Sequence, residues 1–333
     1  MTQLTRRGLL AGALLGGASL ACAPLLGGCS PASAGGRTRI QLWHLFTGGD
    51  GGVFQSMMDA VGRQSPDIEI DPVVLTWGGP YYTKLAMSSV GGRSPDLAVM
   101  HATRVVGYAP GGLLDTWDTD RLADHGVTRD MFPDLLWDKC LVDGRLMAIP
   151  LDFHAFLLFY NTDLCGRAGL LDARGRLTGL GSPEAFLDAG RALAGVTGGQ
   201  GMSYGYTGDG AQVCRMFWGL YAQTGATCTL TPGQPAQIDR DAAIGVAQLV
   251  KDMLDGEIAA PDLDYGGAVA SFSTGRTGIT FMGNWELQSF LKAGVPFDAM
   301  PVPAVFGTPA SFGDCHVFVL PRQADLDEDR RDA

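Results

Sequence analysis

The feature that most constrains the fold is a nearly continuous apolar stretch at residues 147–163. Its aromatic-rich run is short and lies between Pro150 and Asn161, which is typical of a buried strand rather than of a membrane helix. Asp152 and His154 interrupt it, and both point the same way because side chains alternate faces along a strand. Such groups are costly to bury unless they are hydrogen-bonded. Two interpretations stay open: a hydrogen-bonded pair at a strand end, or a strand that crosses between two lobes and presents both groups to a ligand.

Strand and helix patterns alternate before this stretch. Residues 39–45, 68–75 and 96–100 have the composition of strands, and a helical pattern at 80–90 separates the last two. This alternation predicts α/β units with mostly parallel strands. Ligands of such sheets bind beyond the carboxyl ends of the strands. The loops after residues 45, 75 and 100 are therefore the places where a site is expected.

Length and charge limit the possible domain organisation and the possible classes of function. The chain has 333 residues, more than one core usually holds, so two domains are expected. Charged residues make up 18% and hydrophobic residues 46%, which excludes a disordered chain. The net charge of −11 argues against a nucleic-acid partner, because nucleic acids bind basic surfaces.

Motif searches exclude several kinds of site. The glycine run at 48–52 lacks the Lys-Ser/Thr of a phosphate loop, and no Gly-x-Ser-x-Gly or His-Glu-x-x-His is present. No CxxC spacing occurs, so neither a zinc site nor a cofactor is expected. The cysteines after residue 29 are odd in number, so at least one is unpaired within the chain, and a Cys214–Cys228 bridge is compatible with export.

Residues 1–29 are interpreted as an export signal. Arg6 and Arg7 precede an apolar, small-residue region and resemble a twin-arginine signal. Cys29 ends a Leu-Gly-Gly-Cys sequence that resembles a lipobox, and it is the expected site of lipid attachment; Cys22 fits less well. Residues 30–37 then form a flexible tether. The alternative is a plain signal peptide with an incidental cysteine.

Three segments carry a specific resemblance. Pro150 is followed by His154 and by Phe-Tyr-Asn-Thr-Asp-Leu at 159–164. Residues 107–114 contain Gly-Tyr-Ala and end Gly-Leu-Leu, and residues 272–286 contain Phe-x-x-Gly at 272–275 and Met-Gly-x-Trp at 282–285. From about residue 40 to its end, the chain resembles extracellular solute-binding proteins of the maltose-binding type, the sugar receptors of ABC importers.

The resemblance implies an α/β, two-lobed periplasmic-binding-protein-like fold. Each lobe is expected to be a mostly parallel sheet flanked by helices, with a hinge between the lobes. Lobe 1 is predicted at 38–150 plus 297–333, and lobe 2 at 151–296. Members of the family continue for several more helices, so the C-terminal helices of lobe 2 are expected to be missing.

A sugar site needs aromatic rings against C–H faces, together with planar polar groups for hydroxyls. The candidate loops and the crossing strand supply both kinds of residue. The ligand-binding residues predicted here are Thr47, Asp50, Trp77, Tyr82, Thr103, Arg104, Asp152, His154, Trp285 and Glu286. Trp43 lies on the first strand itself and is assigned to the core.

Some of these roles come from the resemblance alone. The ligand-contacting Asp-Arg pair of the family falls on Thr103 and Arg104, so the arginine is kept and the aspartate is not. The family's stacking tryptophan falls on Trp285, and its crossover carboxylate falls on His154. These departures imply a sugar other than maltose.

The function expected is that of the extracytoplasmic, lipid-anchored substrate-binding component of a carbohydrate ABC transporter. A monomer would close its hinge on a mono- or oligosaccharide and deliver it to the permease transmembrane subunits, without catalytic residues. Two alternatives stay open: an exported glycoside-active enzyme, and a truncated remnant that does not bind.

Overall fold

Strands and helices alternate through the computed structural model, which describes residues 36–231, 233–324 and 328–333. The signal segment and almost all of the predicted tether lie outside the described residues. The strands are β1 Thr38–His44, β2 Ile68–Val74, β3 Leu97–His101, β4 Leu114–Asp115, β5 Leu141–Val142, β6 Arg145–Leu146, β7 Ile149–Pro150, β8 His154–Asn161, β9 Met202–Ser203, β10 Cys228–Thr229, β11 Gln237–Ile238, β12 Ile279–Gly283, β13 Phe297–Pro301, β14 Gly313–Asp314 and β15 His316–Pro321.

Helices cover both sheets. They are α1 Gly48–Gln64, α2 Gly79–Val90, α3 Ala102–Tyr108, α4 Thr119–Asp124, α5 Asp134–Lys139, α6 Thr162–Arg167, α7 Pro183–Thr197, α8 Gly210–Gln223, α9 Arg240–Met253, α10 Tyr265–Ser273, α11 Leu287–Ala293 and α12 Glu328–Asp332, with short 3₁₀ turns at Arg129–Met131 and Asn284–Glu286. The longer helices of the second half begin at side-chain caps; for example, Ser182 Oγ accepts from Ala185 N–H ahead of Pro183.

The first sheet, in lobe 1, has the strand order β2-β1-β3-β15-β4, with β7 also paired to β15. Strands β1, β2 and β3 are parallel, whereas β15 runs antiparallel to β3, β4 and β7. Among the described strands of this sheet, β15 alone therefore runs against the rest. Because β15 comes from the far end of the chain, lobe 1 is built from two separate segments.

The second sheet, in lobe 2, has the order β13-β8-β12-β9, with β14 also paired to β8. Here β8 is the strand that opposes the others in the described sheet. Phe156 and Leu158 point into one core of lobe 2, and Phe159 points into a second cluster on the other face. Burial on both faces explains why this strand is apolar almost throughout. The prediction of a buried strand is confirmed.

The predicted return to lobe 1 at residue 297 is too early. Strand β13 pairs antiparallel with β8, and Val302 and Val305 belong to the core of lobe 2. The chain returns to lobe 1 between β14, which pairs with β8, and β15, which pairs with β3. The apolar residues between 297 and 305 carry no pattern that distinguishes the two cores.

Two further observations concern the cysteines and the possibility of a membrane-spanning helix. Cys140, Cys165, Cys214, Cys228 and Cys315 are free thiols, so the Cys214–Cys228 bridge is not formed. In the part of the chain that the structure describes, no helix combines the length and the apolar character that a membrane crossing requires.

We predict that Leu158→Ala lowers the free energy of unfolding by about 2–5 kcal/mol, because it leaves a cavity in a fully buried position of β8. Urea unfolding followed by circular dichroism measures the effect. Leu135→Ala is the matched control, since Leu135 lies exposed on α5, and we expect it to change stability by less than about 0.5 kcal/mol. Equal effects of the two substitutions would contradict the assignment of β8 to the core.

Candidate ligand-binding cleft

The chain crosses between the lobes at two neighbouring places. Residues 151–153 connect β7 of lobe 1 to β8 of lobe 2, and Cys315 connects β14 of lobe 2 to β15 of lobe 1. Cross-strand register sets His316 beside His101, and Asp314 beside His154. The two crossings therefore bring polar residues from three distant parts of the sequence to one place.

Asp152 links these crossings. Its carboxylate accepts the backbone N–H of His316 at 2.7 Å and the Nδ1–H of the same ring at 2.7 Å, and His154 Nδ1 lies 3.5 Å away. Burial acts to raise the pKa of Asp152, but these hydrogen bonds from His154 and His316 outweigh it and hold the pKa well below its usual range. Asp152 is thus ionised, and its interaction with His154 is the hydrogen-bonded pair that the sequence allowed.

His101 is hydrogen-bonded to the Tyr82 hydroxyl of lobe 1. Its Nδ1 lies 2.6 Å from the Tyr82 hydroxyl, which also accepts the His101 backbone N–H at 3.1 Å. Burial, reinforced by His316 and His154, lowers the pKa of His101 to about 2. The ring is therefore neutral at physiological pH. Arg104 lies over the Tyr82 ring, with its guanidinium carbon 5.2 Å from the ring centroid.

Two more carboxylates lie near the crossings: that of Asp50 on α1 of lobe 1 and that of Asp314 at the second crossing. Thr103 Oγ1 donates to Asp314 Oδ2 at 2.7 Å. Burial raises the pKa of Asp50, and the nearby Asp152 and Glu286 add to this while His316 acts against it. Asp50 on α1 therefore lies within electrostatic range of groups at the crossing and in lobe 2.

Trp285 is positioned by lobe 2. Asn284 Oδ1 accepts from Ala155 N–H at 3.1 Å, which ties the 3₁₀ turn at Asn284–Glu286 to β8. Trp285 Nε1–H donates to the Tyr265 hydroxyl at 2.7 Å, and this hydroxyl donates to Glu286. Gly283 lies directly beneath the indole, because a Cβ there would come within 1.9 Å of the ring.

Arg215 on α8 lies between the aromatic residues of the two lobes. Its guanidinium carbon is 4.6 Å from the centroid of Trp285 in lobe 2 and 5.5 Å from that of Trp77 in lobe 1. Nη1 donates to Gln212 Oε1 at 2.8 Å. Burial lowers the pKa of Arg215, and Asp209, Tyr265 and Asp314 act in the opposite direction. Within the described residues, this buried cation forms no ion pair.

The structure brings nine of the predicted site residues into this cleft. They are Asp50, Trp77, Tyr82, Thr103, Arg104, Asp152, His154, Trp285 and Glu286. Thr47 lies exposed at the N-cap of α1 and makes no capping hydrogen bond with its side chain. Trp43 is buried in the core of lobe 1, as predicted.

Sequence reasoning missed Arg215, Tyr265 and His316. One signal was available for His316, because Asp-x-His occurs at both crossings, as 152–154 and as 314–316. Arg215 and Tyr265 carry no comparable signal. They lie on helices of lobe 2, and the fold alone directs them towards the crossing strands.

The lobes also meet at the mouth of the cleft. Gly49 on α1 packs so closely on α11 that a Cβ there would come within 2.5 Å of Gln288 Cβ. Gly52, one turn further along α1, has open space at the same position. Contact between α1 and α11 thus depends on the absence of a side chain at residue 49.

Comparison with known proteins agrees with this geometry. A family model described as bacterial extracellular solute-binding protein matches residues 47–313. The GacH receptor of Streptomyces glaucescens GLA.O, described unliganded and with acarbose, is 17% identical over 89% of this chain and 74% of its own, with a TM-score of 0.72. An ABC substrate-binding protein of Listeria monocytogenes in complex with cycloalternan is 18% identical over 88% of this chain and 73% of its own, with a TM-score of 0.71.

A third structure shares the same architecture. The cyclic α-maltosyl-1,6-maltose binding protein from Arthrobacter globiformis is 20% identical over 89% of this chain and 74% of its own, with a TM-score of 0.64. These likenesses confirm the predicted two-lobed α/β fold.

We predict that Gly49→Ala shifts the chain towards a more open cleft, because overpacking at a close contact typically costs about 1–3 kcal/mol. Pulsed EPR between a spin label on exposed Cys214 and one on Ser56→Cys would measure the fraction of molecules with the short inter-lobe distance.

Gly52→Ala is the matched control, since it makes the same change in the same helix where nothing lies within 4 Å. Both proteins would carry Cys228→Ser, which removes a half-buried thiol that competes for the label. Identical distance distributions for the two alanine variants would contradict the contact between α1 and α11.

Proposed function

The chain belongs to the bacterial extracellular solute-binding protein family, and we propose that its solute is a mono- or oligosaccharide bound in the cleft between the two lobes. The family and the similar structures are binding proteins. Those structures are described with acarbose, with cycloalternan and as a receptor of cyclic α-maltosyl-1,6-maltose. An oligosaccharide is therefore the first ligand class to test.

The observation that carries this proposal is the arrangement of Trp77, Arg215 and Trp285. Two indole rings from opposite lobes supply apolar faces, and both remain partly exposed. The guanidinium beside them has five N–H donors, and its hydrogen bond within the described residues goes to Gln212. Sugars present C–H faces and hydroxyls together, so rings beside unused planar donors suit them.

Acceptors for sugar hydroxyls lie around this centre. Asp50, Asp314 and Glu286 supply carboxylate oxygens, while Arg104 and His154 supply further polar groups. We include Arg215 and Tyr265 with the predicted ligand-binding residues and place Thr47 at the mouth of the cleft. The family's ligand-contacting Asp-Arg pair is replaced here by Thr103 and Arg104, and this difference supports a sugar other than maltose.

Hinge closure is the mechanism that this geometry supports. A solute that contacts both lobes favours the closed form only by the difference between its affinities for the closed and open forms. The closed monomer would then dock on the transmembrane subunits of an ABC permease and release its solute. No covalent bond is made or broken.

The proposal includes attachment to the outer face of the cell membrane. Its support is the sequence Leu-Gly-Gly-Cys ending at Cys29, downstream of the twin-arginine-like Arg6 and Arg7. These residues lie outside the described part of the chain. Lipid at Cys29 and the short tether would hold the lobes close to the permease.

We predict that at least one member of a panel of acarbose, cycloalternan, cyclic α-maltosyl-1,6-maltose, maltose and glucose raises the unfolding temperature. A ligand at about 100 times its Kd adds roughly 2.7 kcal/mol to the free energy of unfolding. Trp285→Ala should weaken binding at least tenfold, or about 1.4 kcal/mol, because it removes a stacking surface. Isothermal titration calorimetry measures both affinities.

Trp117→Ala is the control, since Trp117 packs against the hydrophobic core of lobe 1. Equal losses in the two variants would contradict the assignment of Trp285. Release of reducing sugar from a panel member would favour the alternative of a glycoside-active enzyme, and no shift with any sugar would contradict the carbohydrate assignment.

We predict that Cys29→Ser abolishes incorporation of labelled palmitate in a bacterial host and releases the protein from the membrane fraction. Cys22→Ser is the matched control and should leave both unchanged, because its surrounding sequence fits a lipobox less well. Retained labelling in the Cys29 variant would contradict lipid attachment at that position.

A further inference from the structure

Three histidines converge where the chain crosses between the lobes. His101 ends β3 of lobe 1, His154 begins β8 of lobe 2, and His316 begins β15 just after the second crossing. All three are buried, and one ring nitrogen of each lies within 4.8 Å of one from the other two. The ring centroid of His316 lies 4.5 Å from that of His101 and 4.5 Å from that of His154.

The hydrogen bonds around these rings leave the same atom free in each. His316 Nδ1 donates to the Asp152 carboxylate, His154 Nδ1 faces the same carboxylate at 3.5 Å, and His101 Nδ1 is bonded to the Tyr82 hydroxyl. In each ring Nε2 therefore remains available. Metal-binding histidines have the same arrangement, in which the other ring nitrogen is held by a carboxylate or another oxygen that fixes the tautomer.

The Nε2 atoms also face accessible space. Among the described residues, the buried side-chain nitrogens that lack a partner are His44 Nδ1 and Trp117 Nε1. The Nε2 atoms of the three clustered histidines are not among them, although no hydrogen bond is formed there. Each of these Nε2 atoms therefore keeps some contact with solvent, by which an ion can reach it.

Distances and charge are compatible with a metal ion. A tetrahedral ion with Zn–N bonds of about 2.0–2.1 Å sets its nitrogen ligands about 3.3 Å apart, and one ring nitrogen of each histidine already lies within 4.8 Å of one nitrogen in each of the other two. Asp152 and Asp50 supply negative charge close to His154 and His316, while Arg215 supplies positive charge near His101. Two carboxylates against one guanidinium favour a divalent cation.

We propose that His101, His154 and His316 bind a divalent transition-metal ion of the Zn²⁺ class through Nε2, with its fourth coordination position facing the cleft. Imidazole ligands suit zinc, copper and nickel, and three protein ligands with one open position are typical of zinc sites that take water or a bound ligand. On metal binding, His101 Nδ1 carries its proton and donates to Tyr82. This site goes beyond the carbohydrate proposal and does not depend on it.

The test uses the purified chain stripped with EDTA and titrated with Co²⁺ and Zn²⁺. We expect one equivalent of either ion to bind, with the intense visible absorption of tetrahedral Co²⁺ and without the near-ultraviolet band of a cobalt–thiolate bond. Absence of saturable one-to-one binding would overturn the proposal, as would a thiolate band, which would assign the metal to the free cysteines.

Single substitutions test which side chains bind the metal ion. His154→Gln should weaken Zn²⁺ affinity by more than about 100-fold, and Asp152→Asn, which acts through His316, by about 10–100-fold. His125→Gln is the matched control, because His125 is exposed at the end of α4, and it should bind as the parent does. Equal affinity of all three variants would overturn the assignment. If a variant does not fold, the Co²⁺ spectrum of the unsubstituted protein still tests the proposal, because that measurement needs no substitution.

The two proposals fail separately. Sugar titrations in EDTA test the carbohydrate site without metal, and metal titrations without sugar test the histidine site alone. Binding of sugar but not of metal would overturn only the inference about the histidines, and binding of metal but not of any sugar would overturn only the carbohydrate proposal.

Discussion

The Asp152 carboxylate joins the two strands by which the chain passes between its lobes. It lies on the first crossing and accepts two hydrogen bonds from His316, which follows directly on the second. Hydrogen bonds to an ionised carboxylate are roughly twice as strong as those between neutral groups, and the loss of an acceptor leaves a buried donor unsatisfied. Together with the backbone pairing of β7 with β15 and of β14 with β8, this side chain fixes the relative position of the crossings and so of the cleft between the lobes.

Polar groups elsewhere in the cleft are held by neighbours rather than by solvent. Tyr265 is fixed between Trp285 and Glu286, and burial raises its pKa, so the phenol keeps its proton and donates to the carboxylate. Arg215 is fixed by Gln212 and by aromatic rings from both lobes. Such a site loses little side-chain entropy when a solute arrives, and this preorganisation favours affinity.

How far the sequence predicts the structure depends on how local each signal is. Strand β8 was predictable because burial on both faces leaves a continuous apolar run, and Asp152 and His154 stood out against it. The second crossing was not recognised, although the apolar run at 317–320 marks the strand that follows it, because β14 on its other side has only two residues and carries no strand pattern. The end of lobe 2 was placed too early because β13 and its following residues are as apolar as a strand of either lobe.

The candidate site residues also differ in how local their signal is. Residues of lobe 1 that follow strands were predictable from the rule that sites lie at the carboxyl ends of parallel strands. Arg215 and Tyr265 lie on helices, and nothing local separates a helix residue that faces the cleft from one that faces solvent. Their positions follow from the packing of α8 and α10 against the sheet of lobe 2, which only tertiary structure specifies.

The location of the histidines has a consequence for closure. His101 belongs to the sheet of lobe 1 and His154 to that of lobe 2, so an ion bound by both contacts the two lobes at the hinge itself. An ion that binds more tightly to the closed arrangement than to the open one shifts the chain towards closure by that difference in binding free energy, whether or not a solute is present. Solute binding to a chain already shifted in this way costs less free energy, and by linkage the solute strengthens metal binding by the same factor. The sign of this coupling depends on whether the three Nε2 atoms come closer together or move apart as the lobes open. Since His101 and His316 are register partners within one sheet, the distance that changes most on opening is that from these two rings to His154.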